Sequence, residues 1–318
     1  MLGLIRRAKS DRKALGALTD ALASAFGAEA PKTLCLIKDG PRARVAEGVW
    51  KGQAVIVKQF LTSEPEPLIA GMVVEHRRLA ALFPHDNMNT ALSRAHSPAH
   101  GLAILDKAPG IPLDLALDPC TATERARLVG LAGAWLARAL GDSREPGSFR
   151  PRFWLDRLER ESADLPLTTD DRALLCRAMD SLRALGAALK RGAVPRGAVH
   201  GDFGPYNLHW DAATQSLWAF DIQHTSALPL ALDMACLLVG LSEQAQRQHP
   251  DCALAQGVLP DDFASLLAVA GLEHAAGERH FLDFFLGYRL VRSLTEKHRH
   301  PHAPIFRRSL ANWLEAPR

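Results

Sequence analysis

Five polar side chains of this 318-residue chain stand at spacings that suit phosphate chemistry. Asp202 and Asn207 share the stretch VHGDFGPYNLHW, residues 199–210, and Asp221 closes the run LWAFD. Lys58 ends the apolar run AVIVK, and Glu75 follows seventeen residues later within EPLIAGMVVEHRRLAALF. As plain structure the loop is ordinary, because Gly204 and Pro205 make a turn and Asp202 and Asn207 can bond nearby backbone. As chemistry the set is more specific. Moving a phosphoryl group asks a protein to position and neutralise charge rather than to do covalent work. A lysine held by a carboxylate grips phosphates, an amide and a carboxylate give Mg²⁺ hard oxygen ligands, and a further carboxylate orients an acceptor hydroxyl.

Those side chains need elements to hold them. Leu15, Leu18, Leu22 and Phe26 recur at helical spacing, so residues 11–29 predict an opening helix that stops at Gly27. TLCLIKDG, RVAEGVW and QAVIVKQF then read as three short strands separated by Gly40–Pro41 and Lys51–Gly52, an antiparallel meander with Lys58 near its end. Apolar residues at 68, 69, 72, 73, 79 and 82 make the next segment a helix ended by Pro84, with Glu75 in its middle. Two strand-like runs follow, MNTALSRAH and GLAILDK, and then the turn APGIPL. After Pro119 everything reads helical except the hairpin NLHWDAATQSLWAFD, which turns at Asp211–Thr214. Strands in the first third and helices in the rest predict an α+β chain of two lobes, 1–108 and 109–318.

In this order the pieces resemble the aminoglycoside phosphotransferase and choline kinase branch of the protein-kinase-like superfamily. The branch shows His-Gly-Asp with Asn four residues on, here HGDFGPYN, then a strand ending in aspartate, here LWAFD, then an aspartate near a helix start, here Asp233 in LALDMA. AVIVK looks like its lysine strand and LAILDKAPGIPL like its hinge, and the resemblance covers about residues 33–240. It implies a bilobal fold with a small antiparallel-sheet N-lobe and a larger helical C-lobe. It also implies ATP and Mg²⁺, with Asp202 as catalytic base and Asn207 and Asp221 as metal ligands. Lys58 would grip the α- and β-phosphates and Glu75 would pair with it. Ile56, the hinge residues Asp106, Lys107 and Ala108, and His209 would line the nucleotide. His200 and Asp233 would brace the catalytic loop from behind.

The departures carry information too. The loop DGPRARV has one glycine where a protein kinase has a glycine-rich cover, leaving Arg42 and Arg44 either to contact phosphate or to stand as solvated loop charges. Only eleven residues separate Asp221 from Asp233, too few for a segment that docks a peptide. Gln223 and His224 stand where the branch often places an acidic residue. His209 could stack under a purine or point elsewhere.

Charge is the only clue to the acceptor. From residue 264 onward, Arg279, Arg289, Arg292, Lys297, Arg299, Arg307, Arg308 and Arg318 outweigh Glu273, Glu278, Asp283, Glu296 and Glu315. A polycation would need desolvated carboxylates, so a sugar-like or other neutral or anionic alcohol is favoured over an aminoglycoside. A nucleotide-binding regulator without turnover is the other class. His298, His300 and His302 flank Pro301, which favours a solvated loop over a metal site. Trp50, Trp210 and Trp218 read as core, whereas Trp154 could line an acceptor cleft. A formal charge of +3 argues against a nucleic-acid partner, and five scattered cysteines argue for a reducing compartment. No signal-like or membrane-spanning run is evident, so a cytoplasmic protein is expected.

Overall fold

The computed structural model describes residues 2–84, 86–222, 227–269, 272 and 279–317, with backbone alone for 2–10, 142 and 279. The chain packs as two units, Met1–Pro109 with Trp218–Thr225, and Gly110–Leu217 with Ser226–Arg318.

The first unit opens with α1 (Leu2–Phe26), which ends where sequence placed its stop, at Gly27 with φ +57°. The meander follows as β1 (Lys32–Asp39), β2 (Ala43–Trp50) and β3 (Gln53–Phe60), then α2 (Pro65–Leu82). The stretch MNTALSRAH is two strands, β4 (Met88–Thr90) and β5 (Ser93–Ser97), before β6 (Leu102–Asp106). The five-stranded antiparallel sheet has the order β1-β2-β3-β6-β5. Alternation along β3 divides its side chains between two cores. Val55 and Val57 pack with Leu18 and Leu22 of α1, Ala46, Leu102 and Ile104. Phe60 packs with Ile69 and Met72 of α2, Ala103 and Leu105, and Ile56 lies against that group. Lys58 shares the parity of Ile56 and Phe60, so its stem enters the α2 side of the sheet.

The second unit contains β7 (Ile111–Pro112), α3 (Leu113–Ala116), α4 (Ala122–Leu140), β8 (Glu145–Ser148), α5 (Pro151–Ser162), α6 (Thr169–Leu189) and β9 (Ala193–Ala198). The predicted hairpin forms as β10 (Leu208–Asp211) and β11 (Ser216–Ala219), with β10 also paired to β7 and Trp218 and Ala219 grouped with the first unit. Then come β12 (Ala227–Pro229), α7 (Leu230–Gln248), α8 (Pro260–Leu267), α9 (Arg279–Lys297) and α10 (Ala303–Glu315).

Sequence placed only helices and one hairpin after Pro119, and here the structure differs. β8, β9 and β12 form a three-stranded antiparallel sheet in the order β12-β9-β8. Their sequences, EPGS, AVPRGA and ALP, are short and carry proline, which reads as a strand breaker. Pairing with distant partners, Glu145 with Arg196 and Ala227 with Ala198, makes them strands.

Helix starts and ion pairs fix the helical part. Thr121 and Glu124 form a reciprocal cap at the head of α4. Arg125 forks onto the buried Asp262 at 2.8 and 2.7 Å. Arg307 of α10 forks onto Asp171 of α6 at 2.5 and 2.8 Å.

Candidate active site

Lys58, Glu75 and Asp221, three of the residues expected to do chemistry, belong to the first unit. Lys58, 6% exposed, pairs its ammonium with the Asp221 carboxylate, and the ammonium lies 5.0 Å from the centre of the Phe60 ring. Asp221 sits just past the end of β11 at φ +66°, in the left-handed region that costs a non-glycine residue free energy and marks functional turns. The Lys58–Glu75 pair expected from sequence is absent among the described residues. Glu75 instead takes both arms of Arg78 at 2.9 and 2.6 Å, because three residues along a helix brings the two side chains onto one face.

Sequence also passed over His76. Its Nδ1 accepts the Ser93 N–H at 2.8 Å, which leaves the proton on Nε2, and that atom donates to the Ile222 carbonyl at 3.2 Å. Burial lowers its pKa, against opposing contributions from the Ile222 hydrogen bond, Glu75 and Asp106, so the ring stays neutral. His76 therefore ties α2 to the residue that follows Asp221.

The other expected nucleotide-lining residues are distributed along the sheet. Asp106 holds Arg94 and accepts the Leu92 N–H at 3.1 Å, Lys107 pairs with Glu47 at 2.5 Å, and Ala108 is buried. Arg44 is engaged by Asp39 at 2.9 Å and Gln59 at 3.3 Å, while Arg42 is exposed.

In the second unit, β9 feeds the loop at His200–Asn207. Gly201 takes φ +84° and turns the chain outward. Asp233, fully buried at the start of α7, accepts the backbone N–H groups of His200 at 2.6 Å and Gly201 at 2.9 Å, which is the bracing expected of it. Phe203 anchors the loop by stacking on Trp135 with centroids 5.3 Å apart. A Cβ on Gly240 of α7 would stand 2.4 Å from Pro205 Cδ, so only glycine allows that helix so close to the loop.

This scaffold presents Asp202 to solvent with both carboxylate oxygens oriented. Tyr206 Oη donates to Oδ1 at 2.7 Å, and Asn207 Nδ2 donates to Oδ2 at 3.3 Å and to the Asp202 carbonyl at 2.8 Å. Arg289 of α9 donates in turn to Tyr206 Oη at 3.3 Å. Desolvation raises the pKa of Tyr206, with Arg289 opposing and Asp202 adding to the rise, so the phenol keeps its proton and acts as donor to Asp202. Neither Tyr206 nor Arg289 was expected at the site.

Burial also pushes the Asp233 carboxyl up to about 6, against the opposing pull of His200 and the two N–H groups. Between about pH 4 and 6 the folded chain therefore keeps a proton there that the unfolded chain has lost. Stability should fall as pH rises through that window, by about 3 kcal/mol if this group acts alone, and level off above it. Denaturant titrations at pH 4, 5, 6 and 7 check the sign, and a rise confined to that window would contradict it.

Several other sequence expectations resolve in the second unit. His209 lies half-buried on β10 opposite Pro112. Trp154 is buried edge-to-face against Phe285 and Tyr288 and borders a cavity of about 460 Å³ together with Phe153 and Arg196. His298 bonds the Thr295 carbonyl and His300 accepts the His302 N–H, and among the described residues no three metal-capable side chains cluster. Gln223, His224, Glu273, Glu278 and Arg318 lie outside the described residues, as does the side chain of Arg279.

The lysine strand, the Asp-Asn loop and the aspartate closing the next strand are set on a kinase-like fold, and three solved structures share it. A thermostable mutant of aminoglycoside phosphotransferase APH(4)-Ia in its apo form is 15% identical, covering 93% of this chain and 97% of that one with a TM-score of 0.58. A further variant of that mutant, in ternary complex with AMP-PNP and hygromycin B, is 14% identical over 93% and 96%, with a TM-score of 0.58. The GDP and kanamycin complex of APH(2")-IIia is 12% identical over 93% and 96%, with a TM-score of 0.59.

The model of the phosphotransferase enzyme family matches residues 33–268, and the chain belongs to that family. No curated protein matches it. Among the described residues no helix is long and apolar enough to cross a membrane.

Proposed function

We propose that this protein transfers the γ-phosphate of ATP to a hydroxyl group of a small neutral or anionic alcohol. The observation that carries the reading is the exposed Asp202 carboxylate, aimed by Tyr206 and Asn207 on a loop that buried Asp233 holds in register. A base so held accepts the hydroxyl proton as the oxygen attacks. Asn207 commits its Nδ2 to Asp202, its Oδ1 is a hard oxygen donor, and Asp221 has a carboxylate to offer. These are donors that Mg²⁺ takes, so the two residues would hold the ion. Bound there, Mg²⁺ would neutralise charge on the phosphates. Lys58 would exchange Asp221 for the α- and β-phosphates, and the buried stem would keep its ammonium in place.

The expected result of a nucleotide-consumption screen against sugars, hydroxy acids, amino alcohols and aminoglycosides is turnover with one of the first two groups. Asp221→Ala should weaken Mg-nucleotide binding at least tenfold, measured by calorimetric titration. Nucleotide binding without transfer to any acceptor would favour a regulator.

The names of the structural neighbours raise an aminoglycoside as the alternative acceptor. Against it, Glu161 and Glu296 are already neutralised by Arg157 and Arg292, and Asp283 is engaged by the Trp313 indole N–H at 2.7 Å. Each ammonium of a polycation needs a carboxylate partner once water is removed. Kanamycin binding should therefore be weak and disappear in moderate salt. Salt-tolerant micromolar binding with phosphate transfer would select the aminoglycoside reading.

A further inference from the structure

Most half-buried arginines of the second unit that face a carboxylate close on it. Arg125 closes on Asp262, Arg307 on Asp171, and Arg292 on Glu161 and Glu296. Arg289, one turn before Arg292 on the same helix, does not. A guanidinium carries five N–H donors, and among the described residues Arg289 uses one, at 3.3 Å, on the neutral hydroxyl of Tyr206. That hydroxyl is the one that donates to Asp202, so the unmatched cation stands one hydroxyl away from the proposed base.

Among the described residues none closes an ion pair on Arg289, and the charges of Asp202 and Glu296 act on it only from a distance. Cys236 of α7 is buried, and desolvation pushes its thiol up to about 12, so it is uncharged. Tyr206 keeps its proton, Glu296 is bonded to Arg292, and Asp202 is already engaged by Tyr206 and Asn207. Tyr206 itself is 42% exposed, so the position is reachable from solvent. A partly desolvated guanidinium with no carboxylate in direct contact among the described residues is a receptor for an anion, and its planar fork suits carboxylate or phosphate oxygens.

Resting on the phosphotransferase reading, we propose that Arg289 selects the acceptor: an alcohol bearing a carboxylate or phosphate group close to the hydroxyl that is phosphorylated. The anion seats on the free N–H groups of Arg289, and the hydroxyl displaces Tyr206 Oη from Asp202 Oδ1 while Asn207 keeps hold of Oδ2, so that Tyr206 orients the base only until the acceptor arrives. Arg289 is then a specificity residue, Tyr206 a stand-in for the acceptor hydroxyl, and a cationic acceptor is repelled from the base.

The test is a charge series on one small scaffold. Glycerate, glycerol 3-phosphate, glycerol and ethanolamine are each titrated into the full chain saturated with Mg-AMP-PNP, which occupies Lys58, and binding is read by saturation-transfer NMR. At least one of the two anions should bind ten times more tightly than glycerol or ethanolamine, and which anion wins tells carboxylate from phosphate recognition. Arg289→Gln should abolish that preference, and Arg289→Lys, which keeps the charge but loses the fork, should restore part of it. Equal binding of glycerol or ethanolamine, or an undiminished anion preference in Arg289→Gln, overturns the proposal. The wild-type series decides alone if a variant does not fold. Binding here is read without turnover, so failure of phosphate transfer in the acceptor screen would show separately and would count against the phosphotransferase reading.

Discussion

Asp202→Asn is expected to lower turnover by about two or more powers of ten while leaving Mg-nucleotide affinity within a few-fold of the parent. The amide fills the same space and can still accept from Tyr206 through one oxygen, so the loop should keep its shape. What it loses is the capacity to take a proton from the attacking hydroxyl. Single-turnover measurements at saturating acceptor separate the two effects, because they report chemistry apart from release. Turnover within tenfold of the parent would remove Asp202 from the role of base.

Asp233→Ala should be the most damaging change away from the reacting groups. It removes one carboxylate and orphans two buried N–H groups at once, those of His200 and Gly201. Leaving a buried donor unsatisfied costs about 1–3 kcal/mol each, so a loss of about 2–6 kcal/mol is expected in urea unfolding. Turnover should fall with it, since Gly201 precedes the base. Asp233→Asn should rescue little, because the amide nitrogen would confront one of the two N–H donors. A variant with parental stability would mean that the Phe203–Trp135 stack holds the loop by itself.

Much of this site was legible from local chemistry. Gly40–Pro41 and Lys51–Gly52 announced the meander, and its alternation put Lys58 on one face of β3. The spacing from His200 to Asn207 announced the loop, and Asp233 announced its brace. What escaped depends on partners far along the chain. Arg289 meets Tyr206 across 83 residues, and no local pattern marks one arginine among several on α9. The choice of Glu75 between Lys58 and Arg78 turned on a rival one helical turn away, which family resemblance does not weigh. His76 carries no local signal, because beside Glu75, Arg77 and Arg78 a histidine looks like one more charged helix position until its two ring partners are known.

The small sheet of β8, β9 and β12 bears on how the protein is made. β9 runs straight into the loop that carries Asp202, and β12 runs straight into the helix that carries Asp233. Ala198 must find Ala227, and Arg196 must find Glu145, before loop and brace can meet. Such closures between distant segments lose chain entropy before any contact rewards them, and they come late in folding. The meander of the first unit, whose neighbours are joined by tight turns, has no such delay. During refolding, amide protection should thus reach β2 and β3 first and His200 and Gly201 among the last. A chain that has collapsed without zipping this sheet would hold every side chain of the site and no working loop.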